Sequence, residues 1–549
     1  MRTSASPSRL RLIADTVRAH RTGIILWVIA GAATQYATAS MLAQEFRTTP
    51  GGGAALAPGV EAAAQALRVL RWPAERLDTL GGYLTYHNVL LIPLSIGLYA
   101  AIVGAQAIRG AEAGGSLELL LATGKRRAGV LRDRALGFLI AVTLIVLGVG
   151  AGTAIGLAAG GEPDTLGSFI AIGEAGLCAL TFYALAVLAA QFTRTTRVAV
   201  GVTALAMTGM FVFTNVWDKA GPIAIARFAS PFFYFQQSRV LVPGHGFDVA
   251  STLALALMPV VILGIAAWAF ERRDYASVFG ARRRVEAARG PVTVARPWLA
   301  ALWSSSLVRQ RYGLLAWAAG TAAMAGLVTY LEPEVRKLWA DVEYFRRFIA
   351  LSGVGSLTDQ YLAFAGTLLA PVVAAYVTTQ VAAWISDLRQ GRVELILSSP
   401  VSWTRLVAER LVALAGGIAV IIAAAVAGLV VGAVAADVPL RAEGLVRLAG
   451  DSLLFGLAIG GIGAVLAALL RSSLATALLA VFLIATYLMD LLTPVYEWPS
   501  WIANLSVFDA FGQPYVGVTA VSGVILLAGL ALVGAATAAW LSERSPKVA

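Results

Sequence analysis

Two short segments carry the side chains best placed for specific chemistry. Gly115-Ser-Leu-Glu-Leu-Leu-Leu-Ala-Thr-Gly124 and Gly391-Arg-Val-Glu-Leu-Ile-Leu-Ser-Ser-Pro400 match at an offset of 276 residues. At about 100° per residue, Leu117, Leu120 and Leu121 form one apolar stripe of a helix, and Val393, Ile396 and Leu397 form the same stripe. Leu119 and Leu395 then project to nearly the opposite side, flanked by Glu118 and Glu394. An apolar knob beside a carboxylate suits docking: the knob fills a groove, and the charge fixes orientation. Thr123-Gly124 and Ser399-Pro400 supply helix stops. A short helix packing beneath a bundle would show the same stripe.

Catalytic chemistry finds little support. Cys178 is the lone cysteine and sits in an apolar run, where a small core residue is expected. His20, His87 and His245 are scattered, so no metal cluster is expected. Gly124-Lys125 lacks the glycine five residues earlier that a phosphate-binding loop needs, because Leu119 stands there. A membrane-bound transferase would want an acidic pair or a histidine cluster at one face, and none stands out. The expectation is no catalytic residue, metal or cofactor in this chain.

The elements that must position the two segments are membrane helices. Hydrophobic residues make up 58% of the 549 and charged residues only 13%, against roughly a quarter charged in soluble domains. Spans are expected at about 23–44, 88–108, 135–160, 166–192, 198–216, 250–270, 313–331, 362–386, 411–436, 452–470, 474–493 and 516–541. The fold class is therefore all-α and polytopic, with about twelve transmembrane helices. If the N-terminus is inside, inner segments hold 29 of the 42 Lys and Arg and 11 of the 31 Asp and Glu. That asymmetry satisfies the positive-inside rule with both termini cytoplasmic. It assigns the net charge of +11 to anionic membrane lipid, with no nucleic acid required.

The repeat extends beyond the two segments. The same offset pairs Asp133 with Glu409, Arg134 with Arg410, Ser230 with Ser506, Phe235 with Phe511 and Gln237 with Gln513. Residues 1–270 and 297–549 thus read as tandem six-helix halves, joined by a basic inner linker, 271–296, containing Arg282-Arg283-Arg284. Each half opens on an amphipathic stretch expected to lie in the interface plane: Leu10, Ile13, Ala14 and Val17 in the first, Leu299, Leu302 and Trp303 in the second. The outer aromatics, Phe232 to Phe235 and Trp498, Trp501, Phe508 and Phe511, are expected to anchor at the interface.

Only Glu174 and Asp490 are ionisable within the expected spans. Ion-coupled carriers usually place charged relays at that depth, so energy should come from another subunit. The two matching segments carry a resemblance to a known family. Glu112 with the Gly115–Gly124 segment, after the second helix of its half, resembles the coupling helix of ABC-2-type permeases. The segment from Gly391 to Pro400 and Ser402 is more similar still, since that family often has a proline there; the first half departs with Gly124. The fused arrangement resembles actinobacterial exporters of polyketide-type antibiotics.

The resemblance implies a transmembrane exporter subunit of the bacterial inner membrane. It implies a separate cytoplasmic ATPase, two copies of which bind ATP and Mg and dock on the two segments through Glu118, Leu119, Gly124, Glu394, Leu395 and Pro400. It also implies a central cleft lined by the first, second and fifth helices of each half. The least hydrocarbon-like residues there are Gln35, Thr38, Thr208, Phe211, Asn215, Tyr330, Tyr376, Gln380 and Tyr487, though helix–helix contacts want the same residue types. Apolar walls favour a small hydrophobic or amphipathic substrate such as an antibiotic or drug. The alternative is a major-facilitator-type secondary transporter, whose basic loop Lys125-Arg-Arg127 with Arg132-Asp133-Arg134 resembles.

Overall fold

The computed structural model describes residues 9–55, 57–58, 61, 72–216, 221–274, 277–279, 301–333, 335–336, 354–493 and 499–544. Arg282 to Arg284, Leu299 and Trp498 lie outside these. Among the described residues the regular structure is helical, and twelve helices are long and apolar enough to cross a membrane. The chain divides into two compact units, Met1–Glu286 and Ala287–Ala549.

In the first unit the spans are built on α1 (Arg9–Thr48), α2 (Ile92–Ala105), α3 (Arg127–Gly160), α4 (Thr165–Phe192), α5 (Thr196–Val216) and α6 (Val249–Arg272). Here α1 packs along α3, while α2 and α6 pack on α4. Its core centres on Ile96, Phe138, Ile145, Ile172 and Tyr183, with Phe138 and Tyr183 stacked at 4.4 Å. In the second unit the spans are built on α7 (Leu302–Tyr330), α8 (Leu369–Arg389), α9 (Trp403–Ala436), α10 (Ala442–Leu470), α11 (Ser473–Leu492) and α12 (Val521–Arg544). There α7 packs along α9, and α10 on both α8 and α12, around Val373, Tyr376, Ile418, Ile421, Phe455 and Ile459. Glycines set the closest approach: a Cβ on Gly428 would stand 2.2 Å from the Ala322 carbonyl oxygen, and one on Gly432 2.2 Å from that of Gly326.

Two expectations are corrected. The amphipathic opening of the chain is not a separate interfacial helix, because Arg9 to Thr48 is one uninterrupted helix. No proline or helix-breaking pair falls between Arg9 and Gly23, so the helix propagates through. Trp303 is likewise already inside α7. Four of the outer aromatics, Phe232, Phe235, Phe508 and Phe511, fold into the core, where anchoring at the interface was expected. Phe232 sits 5.3 Å from both Phe182 and Phe211, and Phe508 and Phe511 pack 5.2 and 5.4 Å from Phe455. The short helices Pro231–Gln237 and Val507–Phe511 turn these rings into the core, leaving Trp501 exposed.

Candidate functional site

The two matching segments form short helices, Ser116–Ala122 and Arg392–Leu397. Each begins on a glycine in the left-handed region, Gly115 at φ 69° and Gly391 at φ 67°. The chain leaving α2 or α8 must reverse there, and a side chain would strain that turn. Leu117 and Val393 are fully buried, whereas Leu119 is 73% and Leu395 74% exposed. Glu118 and Glu394 are exposed beside them. Leu120 and Leu121 lean on the core of the first unit. Gly124 takes φ 79° with open space around it, while Pro400 stands exposed just before α9, whose first turn Ser402 caps. Each short helix therefore buries one stripe and offers a leucine flanked by a carboxylate.

What holds the two helices differs. In the first unit Glu112 pairs with Arg109 at 2.7 Å and with Arg273, all three side chains buried. Arg109 also donates to the carbonyls of Ala190 (2.7 Å) and Ser277 (2.8 Å), and Arg273 donates to Ser277 at 2.7 Å. Arg127 reaches the carbonyls of Phe270 and Arg273. One carboxylate thus serves two arginines, and carbonyls at helix ends take up much of the remaining donor capacity. In the second unit the counterpart is looser: Asp387 pairs with Arg392 at 3.0 Å and lies 4.0 Å from Arg410, with a quarter of its side chain exposed. Glu112 stood out in the sequence as part of its motif. Arg109 and Arg273 did not, because Arg109's carbonyl acceptors, Ala190 and Ser277, and the pairing of Arg273 with Glu112 all reach across distant segments.

The chain matches two family models. Residues 22–275 match that of the ABC-2 family transporter protein, and residues 303–541 match that of the multidrug efflux system permease Rv1217c, C-terminal domain. The chain is an ABC-2-type transporter permease. It is accordingly a multi-pass transmembrane subunit of an ABC exporter and is not itself the catalytic subunit. The major-facilitator-type alternative is set aside. No curated protein matches the chain.

The residues with pathway character fall in several places. Gln35 is buried, accepting from Asn88 at 2.9 Å and reaching Thr153 at 3.4 Å, while Asn88 also donates to Thr38 at 2.7 Å. This joins α1 and α3 through a polar cluster, and Asn88 escaped the sequence reading. Phe211 packs on Phe232, and Asn215 accepts from Gln236 at 3.1 Å. Tyr376 is buried with its hydroxyl 3.5 Å from Gln310. Tyr487 lies 5.2 Å from Phe508, and Gln380 is half-buried beside Thr379. Thr208 and Tyr330 are exposed. Burial and mutual hydrogen bonding suit Gln35, Asn215 and Tyr376 to helix–helix contact.

Proposed function

We propose that this permease moves a hydrophobic or amphipathic compound, such as an antibiotic or drug, out of a bacterial cell across the inner membrane. A separate ATPase drives it, binding ATP and Mg and docking in two copies on residues 112–124 and 388–401. The observation that carries this reading is the pair of short helices whose Leu119 and Leu395 stand in solvent beside Glu118 and Glu394. An apolar residue so exposed on a helix anchored by a fully buried neighbour is built to enter another protein's groove. Both termini then lie in the cytoplasm, as the charge asymmetry of the loops favours. The exposed Thr208 and Tyr330 are the pathway candidates free to meet substrate.

The test is co-purification from the native membrane followed by reconstitution. A soluble ATPase should accompany the permease at two copies per chain, and transport should require ATP and ignore a protonophore. Transport that a protonophore abolishes, with no associated ATPase, would overturn the proposal.

A further inference from the structure

At the end of the second unit that carries the Gly391–Pro400 segment, a half-enclosed pocket lies between α8, α9, α10 and α12. Trp384, Trp403, Arg410, Ala467, Arg471 and Ser542 line it, and it holds about 40 Å³ of room. Two guanidinium groups face this space. Arg471 ends α10 in the left-handed conformation, φ 45°, and lies 5.8 Å over Trp403. Arg410 lies 6.0 Å over Trp384. Among the described residues neither guanidinium reaches a hydrogen-bond acceptor. The nearest carboxylate to Arg410, Asp387 at 4.0 Å, is closer to Arg392, at 3.0 Å. Arg309 adds a third positive charge within electrostatic range.

The first unit shows what a satisfied arginine looks like at the matching position. Arg134 donates to the carbonyl of Ala107, which lies in a π-helical turn, Gln106–Gly110, where the normal helical bonding is interrupted. Ala383 is the match for Ala107, but α8 runs on as regular α-helix to Arg389. Its carbonyl stays in the helical ladder, and Arg410 is left without that acceptor. The matching turn of the first unit carries Arg194 beside Thr195, so the two units differ there chiefly in the acceptor that Arg134 finds and Arg410 lacks.

From this geometry we infer that the pocket binds the phosphodiester headgroup of an anionic glycerophospholipid, by charge-assisted hydrogen bonds from Arg410 and Arg471. Tryptophans are at home at headgroup depth. Leu469, Leu474 and Trp540, within three residues in sequence of lining residues, leave half or more of their surface exposed on membrane-spanning helices, as an acyl-chain contact would need. Arg471 is half-buried and so is reachable from the surface. This assignment rests on the membrane spans and the pocket, and holds whatever drives transport.

The experiment uses full-length permease in detergent, exchanged into phosphatidylglycerol or phosphatidylcholine and observed by native mass spectrometry. Wild type should retain one phosphatidylglycerol through delipidation and no phosphatidylcholine. Arg410→Gln/Arg471→Gln should weaken that retention by roughly tenfold or more, since each interfacial arginine contributes appreciably to anionic-lipid affinity. Arg194→Gln, in the matching turn of the first unit, should leave retention unchanged. Equal retention by the double variant overturns the proposal. So does stabilisation of wild type by millimolar inorganic phosphate without retained lipid, which would make the ligand a free anion. Loss of a bound ATPase with unchanged lipid retention overturns it too, by giving the pocket to a partner carboxylate. Should the double variant fail to fold, Arg471→Gln alone, at a half-buried side chain without a hydrogen bond, gives the same readout.

Discussion

Glu112 and Arg273, 161 residues apart in the chain, form a buried ion pair at the base of the first short helix. The pair joins the end of the second span to the segment that follows α6, so the helix bearing Leu119 is braced from two sides. Removing the carboxylate leaves Arg109 and Arg273 buried with their shared counter-charge gone. Glu112→Ala should lower stability by about 3–5 kcal/mol, read as earlier thermal unfolding of the purified permease. Asp387→Ala, whose carboxylate is partly exposed, should cost less than about 1 kcal/mol. Equal losses at the two sites would show that the first brace carries no special weight.

The exposed leucines give a second prediction. Leu119→Asp with Leu395→Asp should release the ATPase or uncouple its hydrolysis from transport, since each buried apolar knob can contribute about 1.5–3 kcal/mol to an interface. Membrane insertion should survive, because neither side chain packs in its unit. Leu117→Asp or Val393→Asp, at fully buried positions, should instead lose the folded permease. Wild-type co-purification and export by the Leu119/Leu395 double variant would refute the docking role.

A third prediction concerns the closeness of α7 and α9. Gly428→Ala would drive a methyl group against the Ala322 backbone at 2.2 Å, whereas a Cβ on Gly320 meets nothing within 4 Å. Overpacking of this kind costs about 1–3 kcal/mol. Gly428→Ala should therefore reduce folded yield and melting temperature, and Gly320→Ala should not. The thermal unfolding of the two variants side by side checks this.

The outer turn of the second unit supplies a fourth. Ser506 donates to the Thr486 carbonyl at 2.8 Å and accepts from the amides of Phe508 and Asp509 at 3.1 and 3.4 Å. It both caps Val507–Phe511 and ties that helix to α11. Ser506→Ala should cost about 1 kcal/mol and raise the reactivity of a cysteine introduced at Phe508. Unchanged reactivity would mean that packing against Phe455 alone holds the turn.

Topology is the fifth. Cys178 is buried and offers no background thiol, so single cysteines report cleanly. A cysteine at Asn504 should react with an impermeant reagent in intact cells, and one at Ser399 should react only after lysis. The reverse pattern would invert the orientation drawn from the 29 of 42 basic residues in inner segments.

The sequence by itself determined the twelve membrane helices, the family and the facing of the two short helices. These depend on local quantities. A run of apolar residues of bilayer length needs no partner to be recognised. The 100° period that puts Leu117 inside and Leu119 outside is a property of one helical turn. Tertiary structure alone decided which polar and aromatic groups meet. Phe232 and Phe508 looked like interface anchors, because aromatics favour both a headgroup layer and a packed core; the turns at Ser230 and Ser506 send them inward. Gln35 and Tyr376 had the composition of a pathway, and tertiary structure sets their partners: both are buried, Gln35 bonded to Asn88 and Tyr376 near Gln310. Arg134 and Arg410 occupy matching places in the sequence, but only one finds an acceptor. A single π turn exposes the Ala107 carbonyl to Arg134, while the regular helix of α8 withholds the one that Arg410 would need. Hydrogen-bond satisfaction depends on distant backbone geometry at ångström scale, and residue spacing along the chain does not encode it.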